Sequence, residues 1–371
     1  MKGMGKVIFF VLGSFKLGGT ERTASRIGME LIKRGYEVKF LLLNGVFDYN
    51  DEVLIKNSIV LSKPENGEGI VKLIYLYFKL LSTVWRYRPD RLISFSLGIN
   101  LLIFFLFYPQ TIFRIESNIF FFKIRLYRRY LQDYFSRFRH VRQVIIPSKG
   151  LYDASFQYFR SNHKLVLISN PLDVENIKQL RTEPIDDFPQ LKPGAFIVSA
   201  GRLHVSKGFE QLIEVYKKSR LFPHFKLLIM GRGPLNDALA EIINKLDLKE
   251  HVVLAGYQSN PYRFMARAKF FVLNSKHESF GNVLIESFAC DIPVISNDCD
   301  FGPRYIIENY YNGLLYDQAN EREFIEKLEL LAFNDDIYKH VLAGAMASQR
   351  SYDVKVITER WIQEIIERES K

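Results

Sequence analysis

Apolar and polar positions along the chain follow two alternating periods. Short apolar runs predict strands at 7–12, 38–43, 196–200, 226–230, 252–254, 270–273 and 294–296. Between them apolar residues recur every three or four positions, which predicts helices over 21–33, 209–218, 235–246 and 283–290. Such strand–helix alternation builds parallel sheets with helices on both faces, and ligands of those sheets gather at the strands' carboxyl ends. The run LISFSLGINLLIFFLFYPQTIF, 92–113, carries no charge over 22 positions and is long enough to span a bilayer. Ser94, Ser96, Gly98, Asn100 and Pro109 interrupt it, so it reads instead as a buried strand, a turn, a buried helix and a second strand. Residues 171–194 hold four prolines and little periodicity, which predicts an interdomain linker. A chain of 371 residues then divides into a domain over 1–170 and another over 195–352.

Composition narrows the setting. Two cysteines, Cys290 and Cys299, exclude a disulfide framework and suit a reducing compartment. The seven histidines are scattered, so no metal site is expected. No secretory pattern opens the sequence, which points to the cytoplasm. The net charge of +10 is uneven: 28 Lys/Arg stand against 15 Asp/Glu through position 185, and 23 against 26 beyond it. A basic first half implies an anionic partner, either a membrane face or a nucleic acid. Segment 119–143 interleaves aromatics with Lys123, Arg125, Arg128, Arg129, Arg137, Arg139 and Arg142, which suits an anionic membrane surface. No nucleic-acid-binding motif accompanies it, so no nucleic acid is expected as a partner.

Candidate chemistry sits in glycine turns beyond predicted strands. Gly18 and Gly19 precede a helix start, where backbone amides can approach an anion; a plain tight turn is the other reading. In GRLHVSKG, Arg202 and Lys207 lie five apart and could together neutralise a diphosphate. Gly231 lies in a third such turn, MGRGPL. The stretch HESFGNVLIES, 277–287, surrounds a helix start with two acids, Glu278 and Glu286. Amides at Gly281, Asn282, Val283 and Leu284 could hold phosphate oxygens at that start. Glu286 shares a helix face with Asn282 and lies about 6 Å deeper, at 1.5 Å of rise per residue. A carboxylate there can accept two hydroxyls of a ribose, and Glu278 those of a sugar beyond the diphosphate. On this reading both acids find their partners in a ligand rather than in the protein.

GRLHVSKG, MGRGP, HESFGNVLIESFACDIPVISND, the LGGTER loop and DCDFGPRYII together resemble the family 4 retaining glycosyltransferases, in particular those of bacterial surface-polysaccharide and lipid-linked oligosaccharide synthesis. The likeness is dense over 195–330 and thinner at 7–45. It implies an α/β glycosyltransferase-B (GT-B) fold: two Rossmann-like domains facing across a cleft, with the final segment, 353–371, packing back on the first. It further implies that the second domain binds a nucleotide-sugar, by family frequency a UDP-sugar, and that the first binds a lipid-linked or polysaccharide acceptor. Arg202 and Lys207 would meet the diphosphate, Glu286 the ribose, Glu278 the donor sugar, and Gly18 and Gly19 the ligand from the first domain. Transfer would proceed without a metal, on the inner face of the plasma membrane. Two departures from the family pattern stand out: Glu116, Ser117 and Asn118 stand where many relatives have a histidine segment, and Tyr305 replaces a usual glutamate. Glu116 is then either a substitute contact or a structural acid. A nucleotide-sugar epimerase of similar fold and a non-catalytic partner subunit are the alternative functions.

Overall fold

The computed structural model describes residues 5–16, 18–48, 51–62, 69–116 and 126–368. The chain forms two compact units, Met1–Pro171 with Val354–Lys371, and Leu172–Asp353. Each is a parallel α/β sheet with helices on it, the layered architecture that strand–helix alternation dictates.

In the first unit, seven strands are arranged β3-β2-β1-β4-β5-β6-β7. They are β1 Val7–Leu12, β2 Glu37–Leu42, β3 Ser58–Val60, β4 Arg91–Ser94, β5 Thr111–Arg114, β6 Val141–Ile146 and β7 Leu165–Leu167. All pair in parallel. The uncharged run 92–113 resolves into β4, the helix Leu97–Phe104 and β5. Among the described residues no helix is long and apolar enough to cross a membrane. After the second unit the chain returns as the helix Val354–Trp361 and a π-helical turn, Ile362–Ile366. Ile357, Trp361, Ile365 and Ile366 complete the first unit's core, and Trp361 stacks on Phe95 with ring centroids 6.0 Å apart. Arg91 fastens that turn, donating to the carbonyls of Ile365 at 2.8 Å and Ile366 at 2.7 Å.

The second unit's sheet has the order β10-β9-β8-β11-β12-β13. Its strands are β8 Phe196–Ala200, β9 Lys226–Met230, β10 Val252–Gly256, β11 Phe271–Leu273, β12 Val294–Asn297 and β13 Leu314–Tyr316. Strand order reverses between β8 and β11, which pair through Val198 and Phe271. Residues 172–194, expected as a linker, belong to this unit. Leu172, Val174, Ile177, Ile185 and Leu191 are buried in its core, and Val174–Leu180 is a helix. Their prolines fall between the apolar positions that pack, so a proline-rich composition concealed the packing.

Candidate functional site

The reversal between β8 and β11 places two loops side by side, at the position where open α/β sheets bind their ligands. Beyond β8, Gly201 and Arg202 lead through the short 3₁₀ turn Val205–Lys207 to the helix Phe209–Lys218. Beyond β11, Asn274–Phe280 leads to the helix Asn282–Ala289, which Gly281 opens in the left-handed conformation at φ +97°. Cross-bonds lock the loops: the Lys276 amide donates to Ser206 O at 2.8 Å, and the Asn274 side-chain amide donates to Gly208 O at 2.7 Å. Gly208 has φ +65°, and a Cβ there would lie 2.3 Å from Asn274 O, so only glycine fits.

Gly231, after β9, supports this platform from beneath. Its φ is +148°, and an added Cβ would lie 1.8 Å from Gly201 O. Leu203 N–H then bonds Arg232 O at 3.0 Å, which zips the two turns together. We expect Gly231→Ala to cost more than ~3 kcal/mol, the range of strained backbone combined with overpacking. Denaturant unfolding measures this, and a loss under 1 kcal/mol would show that the turn relaxes freely.

Lys207 and Glu278, 71 positions apart in sequence, form a half-buried ion pair. Ser275 Oγ donates to the same Glu278 oxygen, Oε1, at 2.7 Å. Glu286 is buried, and Tyr262 Oη donates to its Oε1 at 3.3 Å. The expectation that neither acid has a partner in the protein is therefore corrected for both. Lys207 and Tyr262 lie on other segments, and only folding brings them within reach; Ser275 lies on the same loop as Glu278, three positions before it. Leu284 also departs from expectation: its amide donates to Gly281 O at 2.9 Å, so this backbone group is already used within the helix start. Asn282 and Val283 are half-exposed at that start, and Arg202 is exposed on the neighbouring loop. Gly302 closes the far side, where a Cβ would lie 2.5 Å from Phe280 O and 3.1 Å from the Glu278 Cβ. Tyr305, three residues on, is exposed.

Ser275, Tyr262 and Asn274 are the residues that motif reading passed over. Asn274 accepts from Tyr316 Oη at 2.6 Å and from the Gln318 side chain at 3.0 Å, so it anchors the loop to β13. The position of Asn274 and Ser275 directly after a strand was the available signal; nothing local marked Tyr262. Burial, and secondarily Glu278, pushes the Cys299 thiol up to about 12. Cys290 is raised by burial as well, and both thiols are free. Buried and protonated, they serve as packing groups rather than nucleophiles.

In the first unit, Gly18 caps the helix Gly19–Lys33 with extended backbone, φ −153°. Its missing side chain leaves room for Glu21, whose Oε2 lies 2.2 Å from where a Cβ would stand. Burial raises the Glu21 pKa, its own backbone amide lowers it, and Glu116 raises it further. The anion at this helix start is thus a carboxylate of the protein itself. Glu116 accepts from the fully buried Arg114, which also donates to Asn170 and lies over the rings of Phe95 and Trp361. Ser117 and Asn118 fall outside the described residues.

Of the basic segment 119–143, Lys123, Arg125 and the Arg128 side chain lie outside the described residues. The remainder is largely engaged with the protein. Arg129 lies 4.2 Å over the Tyr158 ring, Arg137 pairs with Asp133, and Arg142 donates to Gln110; Arg139 is exposed. Spacing alone could not tell these contacts from a solvated basic face.

Comparison with known proteins bears on the family and the fold. Residues 182–343 match the glycosyl transferases group 1. The chain is 31% identical over 366 residues to the N-acetylgalactosamine-N,N'-diacetylbacillosaminyl-diphospho-undecaprenol 4-alpha-N-acetylgalactosaminyltransferase of Campylobacter jejuni, covering 94% of this chain and 95% of that one. It is 24% identical to the amylovoran biosynthesis glycosyltransferase AmsD of Erwinia amylovora, covering 96% and 99%. Among solved structures, Anabaena HepE in complex with UDP and glucose superimposes with a TM-score of 0.80 at 17% identity, covering 97% and 99%. From its motifs, its paired parallel sheets and its near full-length relatives, the chain belongs to the group 1 glycosyltransferases, in family 4, and has their GT-B type of fold.

Proposed function

We propose that the second unit binds a UDP-sugar at the carboxyl ends of β8 and β11, and that the enzyme transfers the sugar with retention to a lipid-linked glycan. The observation that carries this reading is the convergence of Lys207, Glu278 and the Gly281 helix start at the strand-order reversal. Arg202 and Lys207 would neutralise the diphosphate, with the Asn282 and Val283 amides at the helix's positive end. Positive charge from side chains and amides supplies the leaving-group stabilisation here, so we propose a transfer that needs no metal. Glu286 would accept ribose hydroxyls. Glu278, held by Lys207 and Ser275, would turn its remaining acceptor capacity to the sugar. Gly231 acts through the turn it supports.

In the first unit, Gly18 and Gly19 flank two carboxylates, Glu21 and Glu116. Carboxylate oxygens suit hydroxyl donors, so we assign this end of the first sheet to the acceptor glycan. The C. jejuni relative, whose name describes a diphospho-undecaprenol substrate, supports a polyprenyl-diphosphate-linked acceptor of bacterial glycan synthesis. The HepE complexes with UDP and with UDP-glucose support the nucleotide. A panel of nucleotide-sugars offered with lipid-linked acceptors, read by mass spectrometry, tests the proposal. Transfer from a UDP-sugar, an axial product linkage by NMR and unchanged rate in EDTA are expected. Turnover of free nucleotide-sugar alone, with no acceptor modified, would point to an epimerase.

A further inference from the structure

We propose that Arg114 is a positioning residue for the acceptor: from the core of the first unit it holds Glu116 in place to receive an acceptor hydroxyl. This rests on the assignment of that end of the first sheet to the acceptor glycan, and names the device that sets its geometry.

Arg114 ends β5, and its side chain is 0% exposed. A guanidinium cannot shed its charge, so it is tolerated in a core only against groups that hold it. Its Nε donates to Glu116 and its Nη2 to Asn170. Its central carbon lies 5.7 Å from the Phe95 ring centroid and 5.6 Å from that of Trp361, and those rings stack within 3° of parallel. Asn100, also fully buried, donates to the Arg114 carbonyl at 3.2 Å and to Gln132 Oε1 at 3.0 Å, which fixes the backbone. The planar fork is thus held both by its edge and over aromatic rings, and it turns only by giving up one of these contacts.

Such a residue is poorly suited to stability alone. Among the described residues its Nη1 has no hydrogen-bond partner, a cost that an apolar side chain of similar size would avoid. It is well suited to aiming a carboxylate. Arg114 takes Oε1 of Glu116, and the second oxygen keeps its acceptor capacity. The Glu116 side chain is 12% exposed, sheltered yet reachable. Glu21 stands nearby: burial first, and Glu116 in addition, raises its pKa against the pull of its own amide. A hydroxyl that binds here meets an oxygen already fixed, so less side-chain freedom is lost on binding.

Kinetics on the full chain, with the lipid-linked acceptor that the panel identifies, tests this. Arg114→Met and Glu116→Gln should each raise acceptor KM ~10-fold or more, the worth of one charge-assisted hydrogen bond. Donor KM and calorimetric UDP affinity should stay at wild-type values. Arg114→Lys keeps the charge but not the fork, and should fall between wild type and Arg114→Met. Because Arg114 acts through Glu116, the double variant Arg114→Met with Glu116→Gln should be no worse than the more severe single one. A mere core brace would lower Tm, and its effect would multiply with that of Glu116→Gln. Wild-type acceptor KM in a folded Arg114→Met variant, or multiplying effects in the double variant, overturns the proposal. Should Arg114→Met not fold, Asn170→Ala decides. It frees the other end of the guanidinium and should raise acceptor KM several-fold, and an unmoved KM overturns the proposal equally. A panel in which UDP-sugar binds but no acceptor is modified overturns the acceptor assignment itself, and the role of Arg114 falls with it.

Discussion

Lys207→Ala should lower kcat/KM for sugar transfer by about 10²–10³. A unit charge about 4 Å from a phosphate oxygen is worth ~4 kcal/mol at an effective dielectric near 20, and about 10³ in rate if that charge develops as the leaving group departs. Removing Lys207 also strips Glu278 of its counter-ion and leaves a half-buried carboxylate facing an anionic ligand. This sets an order among variants. Lys207→Arg should be the mildest and Lys207→Ala the most severe. The double variant Lys207→Ala with Glu278→Gln should regain part of the donor affinity that Lys207→Ala loses. Steady-state kinetics with UDP titrations supplies the cycle. If Lys207→Ala keeps wild-type turnover, this crevice of the second unit is not where the leaving group is held.

Glu286→Ala should cost about as much, but mainly in donor affinity. Two charge-assisted hydrogen bonds to ribose hydroxyls are worth ~3–5 kcal/mol together, and they form in the ground state as well as the transition state. UDP binding should therefore weaken ~10²-fold or more, and Glu286→Gln should fall between. Stability should change little, since the solvation a buried carboxylate loses offsets what a hydrogen bond such as that from Tyr262 contributes. Calorimetric UDP titration beside thermal unfolding separates the two effects. Unaltered UDP affinity in a folded Glu286→Ala variant would remove Glu286 from the ribose.

Much of the fold was legible from local pattern. The strands 7–12, 196–200 and 226–230 and the helix 209–218 have the bounds their periodicity predicts, because an apolar face must repeat at the pitch of the element that buries it. Glycine turns beyond strand ends likewise marked Gly231 and Gly281, whose left-handed or crowded backbone admits no other residue easily. Short strands such as Ser58–Val60 and Leu314–Tyr316 carry too few residues to show a period, and they were not foreseen.

The sequence by itself determined the element types, the two-sheet α/β class and the loops that hold chemistry, since these depend on residues within a few positions of one another. Tertiary structure alone decided which loops meet. Strand order places the turn after β8 beside the turn after β11, and so pairs Lys207 with Glu278; packing of the segment after β10 on the helix Asn282–Ala289 pairs Tyr262 with Glu286. It also decided that residues 172–194 enter a core. Hydrophobicity states that a surface must be covered; only the packing of distant segments determines by what.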